Sequence, residues 1–406
     1  MRIKISKKNQ IQMLEILIAI EAVFSINPYL LWETYNFYRI FDILKMILEL
    51  VIVFLFLFQK KIEYEKQAFW CCVTFVTVYV YYSLNNYNNV LYIGLGTIMK
   101  LILLLIFLSL SEKSKGQVFR YFLYLFAISL IPGIFVSLMN LLGVNIKYNI
   151  IQPVQEIKVA ANLQYKQYFL AVFRENRYWS PKFKPVCGLY DEPGMVGTVS
   201  ALLLCADNFN IKKYKENIVL IIGGIMSMSL AFFIVCFFYY MFYLFNIKNR
   251  KQIYIVLAIV LSVCVVLFVF RDNEIFQDRI FNRITWTNLI NNNRTSDEFD
   301  IIFRNYLHSG EILFGLGNGN PIFNIVDAAS YKVLIYNIGF IGFMVLVGWF
   351  VFWGIYRAKG NKYANILVGI FSLSIYQRPW IIYMYMLVIL FGGIANQKLQ
   401  NKTKII

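Results

Sequence analysis

The sequence predicts an all-α polytopic integral membrane protein: about 12 transmembrane helices, with two large extracytoplasmic loops containing short helices. Three observations predict it. Of 406 residues, 59% are hydrophobic and only 15% charged, whereas soluble domains run near half apolar and a quarter charged. The apolar residues gather into runs of about 20, the length that spans a bilayer as a helix. Basic residues recur in clusters between alternate runs, as the positive-inside rule requires. A soluble enzyme, a disordered chain and a disulfide-rich secreted module are excluded. The net charge of +17 reads as topology, not as a nucleic-acid surface, so no nucleic acid is expected as a partner.

The predicted spans lie near 11–27, 40–58, 67–84, 90–110, 118–142, 193–206, 217–229, 230–245, 252–270, 330–355, 363–377 and 379–395. Residues 217–245 fit one long helix or two short ones broken near Ser227-Met228-Ser229. Charge decides for two. With Arg2, Lys4, Lys7 and Lys8 cytoplasmic, alternate loops carry Lys60/Lys61/Lys66, Lys113/Lys115/Arg120, Lys212/Lys213/Lys215, Lys248/Arg250/Lys251, Arg357/Lys359/Lys362 and Lys398/Lys402/Lys404. The alternation survives only if 217–245 crosses twice. The organisation is then an N-terminal bundle of five spans (1–142), an outer loop (143–192), four central spans (193–270), a second outer loop (271–329), and three spans with a cytoplasmic tail (330–406). The chain is expected in the cytoplasmic membrane with both termini inside. The Lys-rich start resembles a signal peptide, but Glu15 and Glu21 and the lack of a cleavage site mark a retained span.

Two loops of this size exceed what connection requires. The first has a helical pattern over roughly 154–173, with Ile157, Ala160, Ala161, Tyr168 and Phe169 on its apolar side. The second reads as a helix over 275–290 and another opened by the capping box Thr295-Ser-Asp-Glu298 and ending near Ser309.

The first loop closes with Gly188-Leu-Tyr-Asp-Glu-Pro-Gly-Met-Val-Gly197. Pro193 suits a first helical turn, and the positive helix end favours the carboxylates of Asp191 and Glu192. They read either as a plain helix start or as a proton acceptor or hydroxyl orienter held at the boundary. The outer face holds Arg174, Arg177, Arg271, Arg279, Arg283, Arg294, Arg304 and Arg378. Arg378, in Tyr376-Gln-Arg-Pro-Trp380, stands where the outer side is otherwise nearly devoid of basic charge. It is either a residue snorkelling to lipid phosphate or a guanidinium that grips a diphosphate with paired hydrogen bonds. Arg294 and Arg304 are placed to converge on the same anion, and Arg174 and Arg177 stand three apart on one helical face. As a set, these arginines point to an anionic ligand at the outer leaflet.

The glycine-rich Phe314-Gly-Leu-Gly-Asn-Gly-Asn-Pro321 lacks the Lys-Ser/Thr of a nucleotide loop. Gly315 and Gly317 are expected to allow a tight turn near the active cavity. His308, the only histidine, is a candidate acid–base group or a structural loop residue. Asp42, Lys45 and Glu49 follow helical spacing, and with Lys100, Glu15 and Glu21 form either an ion path or buried structural pairs. Ser227 and Ser229 leave backbone near a cavity at the predicted break. The six cysteines have no metal-ligand spacing, so no metal or other cofactor is expected.

In order and context these elements resemble the Wzy-type polysaccharide polymerases of bacterial capsule, exopolysaccharide and O-antigen pathways. The likeness rests on Cys187 to Gly197, similar to a Gly…Glu-Pro-Gly…Gly signature. It continues through Ser227-Met228-Ser229-Leu230, Arg294, Phe314-Gly315-Leu316-Gly317, the stretch from Asp327 to Gly342, and Gln377-Arg378-Pro379. It covers roughly 180–380. Lys182, Lys184 and Pro185 stand where an arginine is expected before the first signature glycine.

The resemblance implies a metal-independent glycosyltransferase that moves a growing glycan from undecaprenyl diphosphate onto the next lipid-linked repeat unit. It implies Glu192 or Asp191 as the acceptor's base, and arginines on the diphosphate. Donor and acceptor lipid-linked oligosaccharides, the bilayer and a chain-length-regulating co-polymerase are the partners it suggests. The alternatives are an O-antigen-ligase-like glycan transferase of similar architecture, and a flippase or transporter of lipid-linked oligosaccharide. Long outer loops argue against the flippase.

Overall fold

In a computed structural model, the described residues are 7–32, 37–58, 67–85, 94–153, 158–159, 162–176, 183–245, 254, 295–324, 326 and 328–405. The apolar runs among them fold as helices: α1 (Lys7–Phe24), α2 (Tyr38–Phe58), α3 (Ala68–Leu84), α4 (Leu95–Ser109) and α5 (Glu112–Leu141), then α6 (Pro193–Ala206), α7 (Glu216–Met226) and α8 (Leu230–Phe245). After α9 (Asp297–Leu307) come α10 (Tyr331–Ala358), α11 (Lys362–Ile375) and α12 (Met384–Leu387). The chain continues through a π-helical turn (Val388–Gly392) into α13 (Gly393–Ile405). The protein is mostly helical, and α5 and α10 are long and apolar enough to cross a membrane. Apart from residue 254, the expected span at 252–270 lies outside the described residues, as does the expected helix at 275–290.

Several helix limits follow the sequence closely. α6 occupies the expected 193–206, with Pro193 at its first position. The run 217–245 is two helices, separated at Ser227-Met228-Ser229 by a left-handed Met228 (φ 47°). Other starts are fixed by side-chain caps: Ser111, Ser330 and Asn361 accept from backbone N–H groups of α5, α10 and α11. The last helical segment runs beyond the expected 379–395, through Ile405. The capping box sits one residue later than expected. Ser296, not Thr295, accepts from Phe299 N, while the Thr295 hydroxyl donates to Asp300 at 2.6 Å.

The expectation of an all-α chain fails in the first loop. Where a helix over 154–173 was expected, the chain forms β1 (Asn149–Ile151), β2 (Leu163–Tyr168) and β3 (Ala171–Asn176), antiparallel in the order β1-β2-β3. Tyr165 pairs with Arg174, and Tyr168 with Ala171 across a two-residue turn. Of the residues on the expected apolar side, Ile157, Ala160 and Ala161 lie outside the described residues, Tyr168 is on β2 and Phe169 is in the exposed turn after it; the apolar residues of the strands pack on two sides of the sheet. Tyr165 and Val172 meet Tyr29 and Cys187, while Tyr168, Ala171 and Phe173 meet Val136 of α5. Tyrosine, valine and phenylalanine suit a pleated, half-buried surface.

A second docking fixes the other loop. α10 bends at Gly339 (φ 71°), which frees backbone groups for the 312–317 segment. Leu316 N donates to Tyr336 O, Gly317 N to Asn337 O, and Phe340 N to Ile312 O, all at 2.8 Å. A methyl group on Gly315 would stand 2.4 Å from Asn337 O, so only glycine permits the approach.

Candidate functional site

The site is built where short helices stop. α6 and α11 have 14 residues each and α7 has 11, about 21 Å and 16 Å long at 1.5 Å per residue. Segment 183–192 fills the space beyond their ends. Val186 N donates to Met226 O at the end of α7, Tyr29 N donates to Leu189 O, and Val172 N donates to Gly188 O. The Tyr190 and Ser129 hydroxyls bond at 2.9 Å, and the Tyr190 ring stacks on Phe126. Gly133 and Gly188 make room for this passage, since a methyl group on Gly133 would lie 3.1 Å from Gly188 Cα. Ser129 precedes the end of α5 by twelve residues, about 18 Å of helix. The segment is therefore sunk into the bundle.

Asp191 and Glu192 emerge from it side by side. Glu192 is the N-cap of α6, but its carboxylate does not cap the helix. Oε1 instead accepts from Arg174 Nη1 at 3.3 Å, and Oε2 from Arg378 Nη2 at 3.2 Å. Asp191 Oδ2 accepts from Lys158 Nζ at 2.6 Å, and Oδ1 accepts from the Tyr165 hydroxyl. Tyr165 and Arg174 are cross-strand partners, so one face of the sheet grips both carboxylates. Arg378 follows the C-terminus of α11, where its N–H closes on Ser374 O at 2.9 Å and Pro379 prevents continuation. The negative end of α11 thus carries a cation and the positive end of α6 an anion, each matched to its helix dipole.

The electrostatics favour a further anion. Among the described residues, Arg174, Arg378 and Lys158 face two carboxylates, a surplus of one positive charge. Burial opposes the Arg174 charge, but Glu192, with Tyr165 and Asp191, outweighs it and holds that guanidinium above its ordinary value. Burial, followed by the Asp191 charge, pushes the Tyr165 phenol far up, so it acts as a neutral donor. Burial likewise pushes the Cys187 thiol up to about 12, which makes it a packing residue. The Arg378 side chain is only 5% exposed, and its Nε is buried without a partner among the described residues. Glu192 and Arg174 remain open, at 25% and 32%.

Of the residues selected from sequence, the structure brings together Asp191, Glu192, Arg174 and Arg378. Gly194 lies in the first turn of α6, where its carbonyl accepts from the Thr198 hydroxyl. Gly197 lets α6 pack on the break between α7 and α8, since a methyl group there would stand 2.3 Å from Ser229 Cβ. The Ser229 hydroxyl is buried there without a partner among the described residues.

Arg174 sits on a strand, so the helical face shared with Arg177 does not exist; Arg177, Arg294 and Asp327 lie outside the described residues. Arg304 and His308 are exposed at the end of α9, where His308 Nδ1 bonds Arg304 O at 2.9 Å, and neither contacts Glu192. Gly315 and Gly317 serve the tight docking onto Asn337–Gly339 described above. Lys158 and Tyr165 were missed by sequence reasoning. The segment Leu163-Gln-Tyr-Lys-Gln-Tyr168 lacks the strict alternation that marks a strand, so the local sequence carried no clear signal for them.

No family model matches the chain, and neither a curated protein nor a solved structure is similar to it.

Proposed function

We propose that the chain is a polysaccharide polymerase of the cytoplasmic membrane, with about twelve spans, both termini inside and the Glu192 site open to the outer face. It joins oligosaccharide repeat units carried on undecaprenyl diphosphate. The observation that carries this reading is the buried Arg378 guanidinium. It shares Glu192 with Arg174 and keeps one N–H unengaged in a recess that bears net positive charge. A buried arginine with a spare donor suits a diphosphate, which accepts paired charge-assisted hydrogen bonds. Two long apolar helices and six shorter ones support the membrane setting. The recess adjoins the segment sunk into the bundle, which suits a ligand whose lipid stays in the bilayer while its sugars rise between the loops.

The acceptor hydroxyl attacks the anomeric carbon of the donor sugar. The bond from that carbon to the phosphate oxygen breaks, and its electron pair leaves on the diphosphate, which the arginines stabilise. The hydroxyl proton passes to Glu192. In the free protein both arginines occupy the Glu192 carboxylate. A diphosphate that draws the arginines away frees the carboxylate, so donor binding and base activation are one event. Tyr165 and Lys158 keep Asp191 beside it as an orienting group. A co-polymerase that sets chain length fits this reading as a further partner.

The test is chemical analysis of lipid-linked glycans in cells carrying variants. Arg378→Ala should reduce chain growth roughly 100- to 1,000-fold, the scale of losing one transition-state donor. Single repeat units should accumulate at unchanged protein abundance. Arg378→Lys should recover little, because it lacks the planar fork. Normal-length polymer from Arg378→Ala would refute the site. Long chains retained on the carrier in a deletion strain would favour the ligase, and repeat units trapped on the inner leaflet the flippase.

A further inference from the structure

The turn between β2 and β3 consists of Phe169 and Leu170, where two-residue turns ordinarily take Asn, Asp or Gly. Phe169 is 90% exposed, the highest value of any large apolar residue among those described, and Leu170 is also exposed. The turn is nonetheless held in place. Tyr168 and Ala171, on either side of it, pack against Val136 of α5, and the Tyr29 hydroxyl, just past the end of α1, donates to Phe169 O at 3.3 Å. Its depth is therefore that of Val136, about one and a half turns before the end of α5. At that depth α5 exposes an apolar row, Ile131, Phe135, Leu138 and Leu142. Their helical spacing puts them on one side of the helix.

We infer that the Phe169–Leu170 turn is seated in the outer leaflet, its side chains among lipid chains, and is the membrane anchor of the strand that carries Arg174. The inference rests on the membrane reading given above. Lipid is the occupant the surroundings favour. At the level of the turn α5 also presents apolar side chains outward, and Trp32 and the exposed Tyr148 lie around the same sheet, the residue type that gathers at membrane interfaces. Arg174 is four residues from Leu170 along β3, so an anchored turn fixes the depth at which the guanidinium meets a lipid-borne diphosphate.

The experiment places a nitroxide label on Phe169→Cys in the full chain, reconstituted in phosphatidylethanolamine–phosphatidylglycerol vesicles. Labelled unsubstituted protein serves as background for the native cysteines. Phe135→Cys on α5 and the exposed Lys147→Cys provide lipid and water references. The inference expects the label at 169 to relax with oxygen rather than with an aqueous nickel chelate, as at 135 and opposite to 147. If 169 behaves like 147 while 135 remains in lipid, the inference is overturned and the membrane reading stands. If 135 also reports water, both fail. Spin–spin broadening at 169 places a second copy there and equally overturns it.

Discussion

At one end of α6, Glu192 accepts from Arg174 and Arg378; at the other, Asp207 is ion-paired with Arg120 at 3.0 Å and accepts from Asn217 at 2.7 Å, Asn396 at 3.0 Å and Gln400 at 2.8 Å. Both are carboxylates against arginine, yet they are finished differently. Asp207 is wholly buried, and three neutral amides from α7 and α13 share it with a guanidinium that also lies 3.3 Å over the Tyr214 ring. It stands at the helix end that disfavours an anion, so this surrounding is what makes it tolerable, and it ties four helices into one joint. Glu192 is ion-paired with two arginines, remains accessible, and adjoins an arginine with a spare donor. A saturated charge holds structure; a charge held by exchangeable partners can hand them to a ligand.

The contrast is broken most directly at Asp207. Asp207→Ala strands a buried arginine, a loss of about 3–5 kcal/mol. The variant should vanish from membranes or melt well below the native protein in detergent, whereas normal abundance and melting would deny the joint. Glu192→Gln should do the opposite, leaving abundance and melting unchanged while polymer disappears.

A milder test sharpens the role of the sheet that holds Arg174. Its far face carries buried Glu175, which is ion-paired with Lys166 at 2.7 Å and with Lys184 at 2.9 Å. Burial alone would raise the Glu175 carboxyl, but both lysines outweigh it and hold it below the usual carboxylate range. A depressed group contributes stability above its unfolded value of about 4.3, and loses it as pH falls through the folded value. Amide exchange in 163–176 should therefore stay slow at neutral pH and accelerate below about pH 4.3. Glu175→Gln should exchange faster at neutral pH and lose that acid dependence. The smallest effect belongs to the second loop: Arg304→Ala and His308→Ala should leave glycan chain length unchanged, because both residues stand in solvent on α9.

Much of the helical frame was legible because long apolar runs leave few alternatives, and local devices such as Pro193 and Asn361 mark helix starts. Three site residues were legible for the same local reason: Asp191, Glu192 and Arg378 stand out as charge at helix ends. Arg174 was selected for its charge but given the wrong element, because Tyr168 and Phe169 fit a helical side as well as a strand and its turn until a partner strand is specified. In the second loop the two described candidates, Arg304 and His308, are exposed, while Phe299, Phe303 and Tyr306 of α9 form the core beneath.

By itself the sequence determined a mostly helical chain, the limits of its short central helices, and the placing of carboxylates and an arginine at their ends. These are properties of neighbouring residues, set by hydropathy, capping and backbone restriction. The tertiary structure alone decided that Glu192 receives Arg174 and Arg378 from segments 18 residues before it and 186 after it. It also decided that Tyr165 and Lys158 take Asp191 and that Asp207 is saturated. Each pairing depends on how deeply a loop enters the bundle, and that depth is set by packing between distant parts of the chain.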